Sequence, residues 1–203
     1  MKGRSGIFDI WLGLKLATDP RWVNIVESNI EEILTDHAWC EQKAATNAIT
    51  IITLNSEYTD LVTDLLELAK EELEHFQMVH DIIKERGYKL GRERKDSYVN
   101  ELYKFMNKGG SRLQSMVDRL LFSAMIEARS CERFKLLSKE IKDPELSEFY
   151  HDLMISEAGH YTIFIGFARK YGQDIDVDKR WQELIDFEAE VIQNYGKSET
   201  IHG

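Results

Sequence analysis

Glutamate followed three residues later by histidine occurs twice at matched spacing in this chain. The two copies, Glu72-Leu73-Glu74-His75 and Glu157-Ala158-Gly159-His160, stand 85 residues apart. A single glutamate precedes each by almost the same distance: Glu41 lies 31 residues before Glu72, and Glu127 lies 30 before Glu157. On a helix, positions i and i+3 share a face, so each motif sets a carboxylate beside an imidazole. A lone Glu from two helices and Glu-x-x-His from two others is how a four-helix bundle holds two carboxylate-bridged metal ions. The chemistry such a centre supports is redox chemistry with oxygen.

The motif by itself is weak, because the chain holds four copies of it. The others are Glu148-Phe149-Tyr150-His151 and Glu199-Thr200-Ile201-His202. Helical phase separates them. Glu157 and His160 fall in the apolar stripe Leu146, Tyr150, Leu153, Met154, Tyr161, Phe164 and Ala168. Glu148 is nine residues from Glu157, about half a turn away around the axis, which sends Glu148 and His151 to the wet face. Glu199 and His202 stand at the C-terminal end, where fraying is the expectation. The same test selects Glu41, among Leu34, Ala38, Ala45 and Ala48, and Glu127, among Leu120, Ala124, Cys131 and Phe134. Glu132, with Arg129 and Lys135 nearby, is expected to face water or an ion-pair partner.

Four carboxylates buried together repel one another and lose hydration, so some would have to become neutral. Two multivalent cations remove that penalty. Four carboxylates and two imidazoles form a mostly hard donor set that suits iron or manganese, with iron preferred. The plain alternative is a polar core of protonated acids and histidines, which requires six residues to fall in register by coincidence. The candidate metal ligands are therefore Glu41, Glu72, His75, Glu127, Glu157 and His160. The di-metal centre itself is the expected catalyst, with no separate catalytic residue assigned.

Long helices must position these side chains. Only 2 prolines in 203 residues, with a hydrophobic share of 43%, favour an all-helical chain. Residues 1–18 show no clear period and read as an irregular arm. Asp19-Pro20 opens a first helix expected from about residue 20 to about residue 55. The second spans about 58–86, carries the stripe Leu61, Leu65, Leu68, Glu72, Phe76, Val79 and Ile83, and stops at Gly87. Residues 87–111 form a polar crossover with a short helix after Asp96. The third helix covers about 112–141, the fourth runs from Asp143-Pro144 to near Gly172, and a shorter fifth covers about 178–195. Short loops make two antiparallel hairpins, and the long crossover joins them.

A net charge of -10 excludes a surface that binds nucleic acid everywhere. A basic island survives within it. Residues 86–112 hold eight Lys and Arg, among them Arg86, Lys89, Arg92, Arg94 and Lys95, against Glu93, Asp96 and Glu101. Such an island could dock a phosphate backbone or could simply be a solvated crossover. Cys40 and Cys131 form no disulfide framework, so reduced thiols and a cytoplasmic location are expected. No segment is long and apolar enough to span a membrane. His37, four residues before Glu41, could reach the site as a ligand or as a donor behind it, but the matching position in the other pair is Ser123, so a satisfied core histidine is preferred. Cys131, Trp39, Tyr150, Tyr161, Phe76, Met154 and Phe164 are expected mainly to pack.

Four stretches carry a resemblance to a known family. Asp36-His37-Ala38-Trp39-Cys40-Glu41-Gln42-Lys43-Ala44-Ala45 resembles the first metal-bearing helix of the MiaE family, the tRNA 2-methylthio-N6-isopentenyladenosine hydroxylases. Ile126-Glu127-Ala128-Arg129-Ser130-Cys131-Glu132-Arg133-Phe134 is similar to its third-helix signature, and Ser156-Glu157-Ala158-Gly159-His160-Tyr161 to its fourth. Arg86-Gly87-Tyr88-Lys89-Leu90-Gly91-Arg92 resembles its crossover. Gly159 departs from the pattern, where a larger, often basic residue is expected, and the chain is unusually acidic for a tRNA enzyme. The resemblance implies a single ferritin-like domain over 1–203. It also implies two iron ions, molecular oxygen as co-substrate, and two electrons from an external donor. The implied reaction is hydroxylation of the isopentenyl group on a modified adenosine beside the tRNA anticodon, a base accessible in a loop without opening a duplex. A ferritin-like oxidase or peroxidase on small molecules, or an iron-binding bundle without catalysis, is the alternative.

Overall fold

The structure is a computed structural model that describes residues 12–106, 109–194 and 200–202. Among them are seven α-helices, one 3-10 turn and no strand. In chain order the helices are α1 Trp22–Ser28, α2 Ile30–Leu54, α3 Thr59–Glu85, α4 Ser97–Leu102, α5 Arg112–Glu140, α6 Pro144–Tyr171 and α7 Val177–Ile192. The expected order of hairpin, crossover, hairpin and extra helix is present.

One expected helix is two. The continuous helix drawn from about residue 20 to about residue 55 breaks at Asn29, whose φ of -142° and ψ of 42° are not helical. Polar side chains at the break bond back to the preceding turn. Ser28 Oγ donates to the Asn24 carbonyl at 2.8 Å, and Asn29 Nδ2 donates to that of Ile25 at 2.8 Å. Such local bonds compete with the backbone ladder, and an apolar periodicity running through the site does not register them.

Several other helix ends are capped. Gly87, at φ 72°, closes α3: its N–H donates to Lys84 O, and Tyr88 N–H to Ile83 O, the paired bonds of a left-handed glycine cap. Ser111 accepts from Gln114 N–H at 3.1 Å to start α5. Asp143 accepts from Glu145 and Leu146 N–H at 3.1 Å each, with Pro144 in the first turn of α6. Asp176 accepts from Lys179 N–H at 3.0 Å to open α7.

The chain forms two compact units, each holding one hairpin. The first-hairpin unit takes the described residues of 24–96 with 200–201 and packs α2 against α3. The crossover lies along α2 in this unit. Trp39 Nε1 donates to Gly91 O at 3.0 Å, Arg94 pairs with Glu32 at 3.1 Å, and Lys43 pairs with Glu93 at 3.1 Å. A Cβ on Gly91 would stand 3.0 Å from Thr35 Cγ2, so the glycine lets the strap approach the helix closely.

The second-hairpin unit takes the described residues of 12–23, 97–194 and 202, and packs α5 against α6 with α4 and α7 beside them. Nearly every residue of α5 from Met116 to Phe134 is buried, polar ones included. Arg129 and Arg133 are wholly buried, which charged side chains tolerate only when paired. Arg129 donates to Glu188 Oε1 at 2.6 and 3.1 Å, to Glu132 Oε2 at 2.9 Å and to Leu16 O at 3.0 Å. Tyr98 donates to Glu188 at 2.9 Å, and Thr18 donates to Glu132 through both its amide and its hydroxyl. This network ties α4, α5, α7 and the segment before α1 together. Of the two surroundings expected for Glu132, water or an ion-pair partner, it has the second: Arg129 pairs with it, and both are inside. His202, contrary to expectation, does not fray. It is buried, with Nε2 3.0 Å from Ser130 Oγ, because the chain returns to pack there. Its motif partner Glu199 lies outside the described residues.

Candidate metal centre

The first-hairpin unit brings Glu41 of α2 together with Glu72 and His75 of α3. All three are buried, and each offers a ligand atom within 4.8 Å of the others. His75 Nδ1 stands 3.6 Å from Glu72 Oε2 and 3.8 Å from Glu41 Oε2. In the second-hairpin unit Glu127 of α5 meets Glu157 and His160 of α6 on the same terms, buried and within 4.8 Å. There His160 Nδ1 stands 3.9 Å from Glu157 Oε2. The two Glu-x-x-His motifs thus present the same ring nitrogen to the same carboxylate oxygen.

Those separations suit an ion between the donors better than a bond across them. A hydrogen bond needs roughly 3 Å. Two donors each about 2 Å from one cation stand up to about 4 Å apart. Hard oxygen with imidazole nitrogen, and no thiolate, fits iron or manganese. Cys131 supplies none. It is buried, its Sγ donates to Met154 O at 3.2 Å, and its thiol is pushed up to about 12 by burial and then by the Glu157 carboxylate. At neutral pH it stays a thiol, the form that does not bind metal.

Glu41 carries an additional partner. His37 Nε2 stands 2.6 Å from Glu41 Oε1, with both side chains buried. Burial pushes the Glu41 carboxyl upward, but the hydrogen bond from His37 and the nearby His75 outweigh it. The group is held well below the ordinary carboxylate range. An ionised carboxylate only accepts, so the His37 hydrogen is on Nε2.

The remaining motifs separate as helical phase requires. Glu148 and His151 are exposed. Gly159 is exposed, and a Cβ there meets nothing within 4 Å, so the departure from the family pattern leaves the neighbouring ligands undisturbed. Phe76 and Met154 are half-buried; Phe76 lies 6.0 Å from Trp39 and 6.3 Å from His80 rather than in the core. Among the crossover cations, Lys89, Arg92 and Lys95 are exposed, Arg86 is half-buried, and Arg94 is engaged by Glu32.

Glu188, a buried carboxylate on α7, carries no signal in the sequence. Its Oε1 accepts from Arg129 and Tyr98. No periodic pairing marked it, since its partners lie 59 and 90 residues away.

Comparison with known proteins agrees with this architecture. A protein from Synechococcus with aldehyde deformylating oxygenase activity superposes with a TM-score of 0.85 at 33% identity, covering 94% of this chain and 95% of that one. The fold is accordingly all-α and ferritin-like. The tRNA 2-(methylsulfanyl)-N(6)-isopentenyladenosine(37) hydroxylase of Pseudomonas putida is 35% identical over 186 residues, 92% of this chain and 88% of that protein. The Salmonella typhimurium protein of the same name is 31% identical over 132 residues, 65% of this chain and 47% of that protein. The description tRNA-(MS[2]IO[6]A)-hydroxylase (MiaE) matches residues 9–203. With its helix order, its paired carboxylate–histidine triads and this match over nearly its whole length, the chain belongs to the MiaE family.

Proposed function

We propose that this chain is an oxygen-dependent di-iron monooxygenase that hydroxylates the isopentenyl group of 2-methylthio-N6-isopentenyladenosine in tRNA. The observation that carries the reading is the repeated triad: Glu41, Glu72 and His75 in one unit, and Glu127, Glu157 and His160 in the other. In this reading the two triads are the six ligands of one centre within a single domain over 1–203. The names of the relatives supply the substrate. Bound iron would supply the activation of oxygen for attack on an allylic C–H bond.

The chain's own residues do the rest. Carboxylates neutralise the cations, and the two Nδ1 atoms complete the donor set. A cysteine held as a neutral thiol keeps a competing sulfur ligand out. Exposed Lys89, Arg92 and Lys95 offer charge to the anticodon-loop phosphates, with Arg86 and Arg94 beside them. Two electrons per turnover come from a separate donor, a small reductant or an electron-transfer protein. The reaction belongs in the cytoplasm, with tRNA. No described helix is long and apolar enough to cross a membrane.

The test is incubation of iron-loaded protein with isopentenylated tRNA, oxygen and a reductant, followed by nucleoside mass analysis. The expected product is the modified adenosine heavier by one oxygen atom. Its absence, with turnover of a fatty aldehyde instead, favours a small-molecule oxygenase, a reading supported by the 33% identity to the Synechococcus protein.

A further inference from the structure

We propose that Trp39, Phe76 and His80 form a stacking platform for an unpaired base of the RNA loop, one that flanks the adenosine to be hydroxylated. The inference rests on the tRNA reading above and adds to it a contact that carries no charge.

The three rings make one continuous group on the first-hairpin unit. Trp39 lies on α2, while Phe76 and His80 stand one turn apart on α3 and share a face. The ring centroids of Trp39 and Phe76 are 6.0 Å apart. Those of Phe76 and His80 are 6.3 Å apart, with planes 6° from parallel. All three residues are partly exposed. For Phe76 this departs from its own stripe, in which Leu68, Glu72, Val79 and Ile83 are at most 2% exposed. A ring left partly in water keeps apolar surface that a partner can still cover.

The platform adjoins both the metal ligands and the cationic strap. Trp39 lies two residues before Glu41, and Phe76 follows His75 directly. Trp39 also holds the strap, through the 3.0 Å bond from its Nε1 to Gly91 O. Residues 86–95 carry five Lys or Arg against one carboxylate, Glu93, which pairs with Lys43 at 3.1 Å. Lys89 and Arg92 lie within two residues of Gly91 and are exposed. Flat apolar surface beside positive charge matches a single-stranded nucleotide, which offers a base face and a phosphate together. An apolar peptide would leave the cations unmatched, and a duplex keeps its base faces covered.

The test uses iron-loaded protein under nitrogen, so that nothing turns over. The probes are anticodon stem-loop RNAs carrying the isopentenylated adenosine, with 2-aminopurine on one side of it or the other. Fluorescence reports stacking, and filter binding across a salt series reports affinity. Wild type should quench one of the two probes. Phe76→Ala should bind that RNA about 5–150-fold more weakly, the loss of one base–aromatic stack. Its quenching should fall, with the slope of log affinity against log salt unchanged. Phe76→Tyr, which keeps the ring, should restore both. On RNA made abasic at the two flanking positions, wild type should bind as weakly as Phe76→Ala binds intact RNA, and the substitution should cost nothing more. Far-UV circular dichroism checks folding. If Phe76→Ala does not fold, Phe76→Leu, which keeps apolar bulk without a ring face, takes its place. Wild-type affinity and quenching in the ringless variant overturn the inference alone. So does an equal loss on intact and abasic RNA, which marks Phe76 as structural. A wild type that does not bind the intact RNA overturns the tRNA reading and this inference with it.

Discussion

Residue identity at Glu127 and Glu132 separates metal binding from folding. The two carboxylates are five residues apart on α5, and both are buried. Glu127 sits with Glu157 and His160, whereas Glu132 is bonded by Arg129 and Thr18. Glu127→Gln is expected to abolish hydroxylation and reduce metal content while the helical spectrum persists. Glu132→Gln is expected to keep metal but lower stability by about 1–3 kcal/mol, because Arg129 keeps Glu188 while it and Thr18 lose a charged, buried acceptor. Metal analysis alongside urea melts of both variants checks the pair. Cys131 gives a pH expectation. Its folded thiol is raised to about 12 by burial and the Glu157 charge, so alkylation at pH 8 should modify it only after denaturation. The raised value is worth stability below the unfolded thiol's pKa, and that stability is lost as pH climbs toward 12. Mass analysis of native and urea-treated protein after iodoacetamide reads the difference in reactivity.

At the scale of the element, the close of α6 shows how little room the hairpin ends leave. A Cβ added to Gly172 would lie 2.5 Å from Val177 Cγ2, 2.6 Å from Ala168 O and 3.0 Å from Val117 Cγ2. Ala168 O is backbone of α6 itself and cannot turn aside, so a side chain at 172 would have to distort the end of α6 as well as displace Val177 at the start of α7. Gly172→Ala is expected to cost about 1–3 kcal/mol, the usual range for overpacking a filled interior, with metal stoichiometry unchanged. Thermal melting with a parallel metal assay decides it. Helix bounds were legible where a cap residue and an apolar period agree, as at Gly87 and Asp143. The division at Asn29 was not, because Val23, Val26, Ile30 and Leu34 keep a helical period straight across it. Period reports which face is apolar; a backbone break is decided by side chains such as Ser28 and Asn29 that bond back to the chain.

At the scale of the whole molecule, net charge and local charge pull apart. A chain of net charge -10 has no general attraction for RNA, and the proposed docking surface is accordingly the local cluster of exposed cations on the crossover. Replacing Lys89, Arg92 and Lys95 together by Gln should weaken tRNA binding. It should also lower the slope of log affinity against log salt by about 2, since each single-strand phosphate contact contributes roughly 0.7. Filter binding across a salt series measures it, and an unchanged slope removes the crossover from the interface.

What the sequence determined by itself is the chemistry-bearing set. Spacing, helical phase and the paired Glu-x-x-His motifs singled out six candidate ligands, all of them buried, and matched the order of hairpin, crossover and hairpin. These are local quantities, since a residue's face depends on neighbours within two turns. What the tertiary structure alone decided lies at long range. Arg129 finds Glu188 across 59 residues, Thr18 finds Glu132 across 114, and the chain end buries His202 against Ser130. A charged or terminal side chain reads as solvated until the partner that makes burial tolerable has been brought to it, and folding brings it from a part of the sequence with no periodic relation to the first.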